Sequence, residues 1–339
     1  MTGSHLAAVL IVRDEAEHLP GCLESLGGVA DETRVHDTGS RDGTPELAAW
    51  LGATVTRGEW ADDFAAARND AAAGAAGWVL ALDADHRVTA DPDGLRRFLA
   101  ESPAEALLVE VDDAHHARPY RQLETRIYRP GAARWAGRVH ERLVRPDGSA
   151  PVRATVPPAL LSLRHLGHAT YGDRIRRAER NLTLARRTLD ELAAQGATVD
   201  RREVARTLLA LGRDCAAAER RQEAVDTYEL IREMFPGTPE WLQATDGLAR
   251  IVLANGYDKV CLVLAEQLRA AGAAPAYCDW LAAQALAQLG DPHQAAELLA
   301  GVTEVVDTAG RRTDPAALRE VTALVDRLRA LAPTGTPRP

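Results

Sequence analysis

The first part of the chain alternates short unbroken apolar runs with stretches whose apolar residues recur at helical spacing. Residues 6–12 (LAAVLIV) are apolar throughout, the pattern of a strand buried on both faces. Leu19, Cys22, Leu23 and Leu26 then mark one apolar helix face. Asp14 is placed to cap that helix, and Glu15 and Glu17 suit its positive N-terminal end. A second strand is expected at 33–36. It is followed by a helix with Thr44 as N-cap and Pro45 at its first position. A short third strand is expected at 53–56. The run 78–82, bounded by Gly77 and by acids, reads as a fourth and buried strand. Strand–helix alternation of this kind points to a right-handed parallel α/β unit.

From Tyr171 onward the chain is rich in Ala, Leu, Arg and Glu, and the strand signals fade. Residues 173–195 read as one long amphipathic helix ending at Gly196. Beyond it a motif recurs: Gln222-Glu223-Ala224-Val225, Asp258-Lys259-Val260-Cys261 and His293-Gln294-Ala295-Ala296. Each copy follows a helix and a tight turn, with Arg213, Gly256 and Gly290 near the turns, and Phe235-Pro236-Gly237 closes the first unit. The period is near that of tetratricopeptide units, which stack into a continuous core. Residues 314–331 are expected to cap the array, and 332–339 (APTGTPRP) to form a disordered tail. The expected organisation is therefore an α/β domain over 1–170, a helical-repeat domain over 171–331 and the tail.

Composition narrows the function classes. With 339 residues and 46% hydrophobic content, two full cores can be built. A net charge of −9 and an aromatic content of 4% argue against a nucleic-acid binder. The arginines between 118 and 145 are expected to face phosphate or an acidic acceptor instead. Cys22, Cys215, Cys261 and Cys278 show no metal-ligand spacing and read as buried thiols of a reducing compartment. No leader pattern and no apolar stretch long enough to span a bilayer is seen, so no membrane insertion and a cytoplasmic location are expected.

The candidate chemistry sits where the apolar runs end. The fourth run stops in Asp83-Ala84-Asp85-His86, and residues i and i+2 at a strand end share a face. Both carboxylates could reach one hard divalent cation, Mg²⁺ or Mn²⁺, at the edge where α/β sheets bind ligands. Asp37, in Asp37-Thr38-Gly39-Ser40-Arg41-Asp42-Gly43, ends the second strand at the same edge, and Asp42 reads as a turn acid. No G-x-G-x-x-G follows the first strand and no P-loop occurs, which sets dehydrogenases and P-loop enzymes aside.

Taken in order, VLIVRDEAEHL, DTGSRDGT, EWADDFAAARND and WVLALDADHRV resemble the family 2 glycosyltransferases of GT-A fold. The similarity is greatest to the branch that carries C-terminal tetratricopeptide-like repeats, which includes bacteriocin peptide S-glycosyltransferases and lipopolysaccharide-type sugar transferases. The resemblance implies roles residue by residue. Arg13, Asp37 and Arg68 would line the nucleotide pocket together with Asp83. Arg68 and Asn69 match the Ala-Arg-Asn signature, and a forked guanidinium suits an oxygen-rich ligand. Asp83 and Asp85 match the metal motif, Asp85 as the more direct ligand. His165, in the closing Leu163-Arg164-His165-Leu166-Gly167-His168, would complete the metal site, and His168 could contact phosphate. Glu141, ending Arg134-Trp135-Ala136-Gly137-Arg138-Val139-His140-Glu141, is the candidate base, with Asp112 and Asp113 as rivals. His115-His116 reads as an exposed loop, and Trp60 and Phe64 as packing residues.

The expected activity is metal-dependent, inverting transfer of a sugar from a nucleotide diphosphate-sugar, with UDP as the expected nucleotide, to a Cys, Ser or Thr side chain of a peptide. Two alternatives stay open. One is a cell-envelope or lipid-linked saccharide acceptor; the other is a helical-repeat scaffold whose nucleotide-sugar domain does not catalyse. The repeats could also serve a homodimer.

Overall fold

The computed structural model describes residues 4–113, 120–167 and 170–331. The chain divides between residues 169 and 170 into two compact units.

The first unit runs β1 (Leu6–Val12), α1 (Leu19–Ser25), β2 (Glu32–Asp37), α2 (Thr44–Trp50), β3 (Thr54–Arg57), α3 (Phe64–Ala72), β4 (Trp78–Leu82), β5 (His86–Ala90), α4 (Pro92–Glu101), β6 (Ala106–Asp113), β7 (Tyr120–Tyr128), β8 (Arg134–Ala136), β9 (Arg142–Val144), β10 (Arg153–Thr155) and β11 (Leu161–His165). Its main sheet has the order β3-β2-β1-β4-β7-β6-β11-β5. The first four of these strands are parallel. β7 enters antiparallel between β4 and β6, and β11 lies parallel to β6 and antiparallel to β5. β8 and β9 form a separate hairpin.

Alternation along β1 and β4 supplies two cores, one on each face of the sheet. Leu6, Ala8, Leu10 and Val12 join Trp78, Leu80 and Leu82 beneath α1 and α4. Ala7, Val9, Val79 and Ala81 face α3, whose buried Ala65, Ala71 and Ala72 let it lie close to the sheet. The apolar face expected for α1 is present, with Leu19, Cys22 and Leu26 buried and Leu23 packed against them.

Two helix starts differ from expectation. Asp14 does not cap α1, which begins at Leu19 after a turn and has no side-chain cap at His18. Asp14 instead holds φ 55° and accepts the Arg41 N–H at 2.7 Å, while its own N–H donates to Ser40 Oγ at 2.8 Å. Thr44 is not the cap of α2, because Gly43 in the left-handed conformation holds that position. The Thr44 hydroxyl accepts the Glu15 N–H at 2.8 Å, and Asp42 accepts the N–H groups of Ala16 and Thr44 at 3.0 Å. In both cases a capping-type side chain has a better use, stitching the loop after β1 to the loop after β2.

The second unit is helical apart from the two-residue strand Arg312–Thr313: α5 (Tyr171–Ala194), α6 (Arg201–Ala217), α7 (Arg221–Met234), α8 (Pro239–Ala254), α9 (Asp258–Ala270), α10 (Pro275–Gln288), α11 (Pro292–Leu299) and α12 (Pro315–Leu331). The recurring motif opens α7, α9 and α11, where Ala224, Cys261 and Ala295 are fully buried. Each preceding turn closes alike: Arg220, Tyr257 and Asp291 donate their N–H to Cys215, Val252 and Leu286 at 2.9 Å. The left-handed residue in these turns is Glu219, Gly256 or Gly290. Arg213, expected near the first turn, lies inside α6, and the conformation that glycine serves elsewhere is carried there by Glu219. Tyr228 of α7 fills the space left by two glycines, since a Cβ on Gly212 or Gly247 would stand 2.5 or 2.6 Å from its ring. The tail 332–339 lies outside the described residues.

Candidate active site

The end of β4 is the pivot. His86 N–H donates to the Asp83 carbonyl at 3.0 Å and closes a tight turn, and Arg87 Nη1 braces it through the Ala84 carbonyl at 3.2 Å. The turn ends strand alternation at Leu82, so the two carboxylates that the sequence puts on one cation part ways. Asp83 is held by two guanidiniums: Arg68 Nη2 donates to its Oδ1 at 2.8 Å and Arg126 Nη1 to its Oδ2 at 3.1 Å. Burial opposes ionisation of Asp83, yet Arg68 and Arg126 outweigh it and keep the carboxyl well below the usual range.

Arg68 links this acid to a second one. Its Nε donates to Glu141 Oε1 at 2.6 Å, and its guanidinium lies 5.4 Å from the centre of the Trp135 ring. α3 and the β8–β9 hairpin are joined here by Asn69, which donates to the Trp135 carbonyl and accepts the Trp135 N–H, both at 3.0 Å. That two-way bond sets the hairpin, and the hairpin delivers Glu141 to Arg68. Phe64 adds a further tie by donating its N–H to the Arg138 carbonyl at 2.9 Å. Trp60 and Phe64 pack edge to face at 4.7 Å, as packing residues do.

Asp85 turns toward β11. Its Oδ2 meets His165 Nε2 at 3.0 Å, and the other ring nitrogen, Nδ1, lies 3.5 Å from Asp113 Oδ2. Strand register makes this row, because His165 pairs with Asp113 on β6 and with His86 on β5. Burial works against protonating His165, but Asp113 and Asp85 raise it to about 10. His86 goes the other way: burial, helped by Arg126, lowers it to about 4, so the ring is neutral at pH 7. Its Nδ1 accepts the Asp83 N–H at 3.0 Å, which leaves the proton on Nε2.

Among the described residues, Asp85, His86 and His165 offer ligand atoms within 4.8 Å of one another. Asp85 Oδ1 is buried and has no hydrogen-bond partner among the described residues, a costly state for a carboxylate oxygen that a cation would relieve. With the His86 lone pair committed to the Asp83 amide, Asp85 and His165 are the donors that fit a divalent ion. Asp83 stands outside this group.

The nucleotide-side candidates lie at the neighbouring strand ends. Asp37 is buried at the end of β2 and accepts the N–H groups of Gly39 and Ser40 at 3.2 Å. Gly39, at φ 111°, gives that turn its shape. Arg13 is exposed just past β1. His168 and His115-His116 lie outside the described residues.

Residues 7–142 match the family model described as Glycosyl transferase family 2. The matched segment lies wholly within the first unit. A TPR repeat-containing protein of Synechococcus elongatus is 43% identical over 129 residues, 37% of this chain and 32% of its own. The chain thus spans about a third of the length of that curated relative. Among solved structures, mannosyl-3-phosphoglycerate synthase from Rubrobacter xylanophilus is similar at 25% identity and a TM-score of 0.29, over 33% of this chain and 42% of that one. Glucosyl-3-phosphoglycerate synthase from Mycobacterium tuberculosis, in complex with Mn²⁺ and UDP-glucose, is similar at 22% identity and a TM-score of 0.28, over 33% of this chain and 44% of that one.

Within the first unit the two halves of the site differ in how they are built. Arg68, Asp83 and Glu141 come together from α3, the end of β4 and the loop before β9. Arg126 and Glu124 complete that network: Arg126, one of the arginines expected to face phosphate or an acidic acceptor, is engaged with Asp83 and Glu124 instead, and Glu124 has no counterpart in the sequence reading. Arg126 donates to Glu124 Oε2 from Nε at 2.8 Å and stays charged beside it, although burial pulls the other way. The only available signal was the alternation of Gln122, Glu124 and Arg126 along β7. The four cysteines are buried and free. Among the described residues no helix is long and apolar enough to cross a membrane.

Proposed function

We propose that this protein is a metal-dependent, inverting glycosyltransferase that moves a sugar from a nucleotide diphosphate-sugar to a peptide side chain of the Cys, Ser or Thr type. The observation that carries the proposal is the buried, unpartnered Asp85 Oδ1 beside His165, at the C-terminal end of a central strand in the segment that matches the family 2 model. Asp85 and His165 would hold Mg²⁺ or Mn²⁺, which when bound supplies charge to stabilise a leaving diphosphate. Asp37, Arg13 and the Arg68–Asp83 pair line the strand ends where the nucleotide would lie.

Glu141 is the base of this reading. Arg68 fixes its Oε1, and Oε2 is the oxygen available to take the acceptor proton. As that proton moves to Glu141, the acceptor oxygen or sulfur bonds to the anomeric carbon from the face opposite the diphosphate, whose bond to that carbon breaks. The rival acids have other partners: Asp113 faces His165, and Asp112 stands in register with Arg121 and Arg164.

The helical repeats supply the argument for a peptide, since stacked helix pairs leave extended binding surfaces. Self-association through them would cover Tyr257, Val260 and Val263, which are exposed at the start of α9 and along it. The test is incubation with UDP- and GDP-sugars, Mn²⁺ and peptides bearing Cys, Ser or Thr, read by mass spectrometry. A sugar-mass increase on a peptide is expected and should vanish in Glu141→Gln. Transfer to saccharides alone would refute the peptide acceptor, and no transfer from any donor would refute the catalytic reading.

A further inference from the structure

The two histidines beside Asp85 differ in what stands behind them. His86 spends its Nδ1 lone pair on a backbone amide. His165 directs its Nδ1 at a carboxylate, Asp113 Oδ2, 3.5 Å away. Asp113 is the last residue of β6 and is only 6% exposed. The parallel β6–β11 register places it directly beside His165. On the other side the His86 ring, 5.3 Å away and edge to face, limits how far the imidazole can turn.

We propose that Asp113 is a positioning residue for the metal pair: it accepts the Nδ1–H of His165, so that Nε2 is the nitrogen at which a divalent ion would replace the proton beside Asp85. This inference rests on the reading of Asp85 and His165 as the metal donors. A carboxylate behind a ligating imidazole fixes the tautomer and ring orientation and makes the nitrogen a better donor. Asp112 cannot take the role, because strand alternation sends neighbouring side chains to opposite faces. Asp113 thus acts through His165 and does not touch the acceptor, which removes it from the candidates for the base.

The experiment is Mn²⁺ titration of the full chain with excess UDP, followed by electron paramagnetic resonance, with thermal melting as the check on folding. Asp113→Ala is expected to weaken Mn²⁺ binding by about 10- to 100-fold. Asp113→Asn keeps an acceptor oxygen without the charge, so its affinity should fall between the two. Asp112→Ala should match the wild type. Wild-type Mn²⁺ affinity in folded Asp113→Ala overturns the inference, as does wild-type affinity in Asp113→Asn if the alanine variant does not fold. His165→Ala and Asp85→Asn separate the two levels. If both weaken binding while the Asp113 variants do not, only the positioning role fails; if neither does, the metal pair itself is refuted.

Discussion

Arg68→Met is the most revealing single change in the first unit. Arg68 is 8% exposed and ties Glu141 and Asp83 together at 2.6 and 2.8 Å. Methionine keeps much of the volume and removes the charge. Asp83 would retain Arg126, but Glu141 would be left as a largely buried carboxylate without its cation. Breaking a buried pair in this way costs about 3–5 kcal/mol, and the survival of the Asp83–Arg126 contact puts the expectation at about 3. For a unit of this size, about 2–4 °C is lost per kcal/mol, so its transition should drop by about 6–12 °C. Scanning calorimetry of the full chain reads this directly. Adding Glu141→Gln removes the stranded charge and should recover at least about 1 kcal/mol, because the two sites share one interaction. A drop of less than about 1 kcal/mol in the single variant, or no recovery in the double, would refute the claim that Arg68 is the buried cation holding the two acids.

Three further outcomes follow from local geometry. Asn69→Ala loses both hydrogen bonds to Trp135 and should cost about 2 kcal/mol; turnover should fall further than that loss of stability explains, since Glu141 rides on the same hairpin, and unchanged kcat would count against this coupling. Gly212→Ala would ordinarily favour a helix, but the added Cβ meets the Tyr228 ring at 2.5 Å, so a destabilisation of about 1–3 kcal/mol is expected in urea titration, and stabilisation would contradict the packing described. Burial pushes the Cys22 thiol up to about 12, so at pH 8 it carries almost no thiolate and should resist disulfide reagents until the chain unfolds; rapid labelling of the native protein at Cys22 would show otherwise.

The fold was legible where the pattern is local. β1 and β4 are unbroken apolar runs, and their ends coincide with the first polar residues. The recurring motif marks the start of α7, α9 and α11 because each copy buries one small residue there. Legibility stops where contacts are long-range or where a residue type has two uses. Strand alternation puts Asp83 and Asp85 on one face, but it does not survive the turn that His86 closes. Arg126 and Glu124 sit in an ordinary alternating strand, and nothing nearby says that this face meets Asp83. The approach of His165 to Asp113 depends on pairing β6 with β11, which are far apart in sequence. Asp14 and Thr44 show the second failure: both are good caps, and both are used to tie two loops together. Glu219 holds a conformation that its side chain gives no reason to expect.

The measurement closest to the central claim is calorimetric binding of UDP and GDP, with and without Mn²⁺, to the wild type and to Asp85→Asn. The account predicts Mn²⁺-dependent binding of one nucleotide, lost in Asp85→Asn while the melting curve is retained. Tight nucleotide binding that ignores both Mn²⁺ and the substitution would contradict the assignment of Asp85 to the metal.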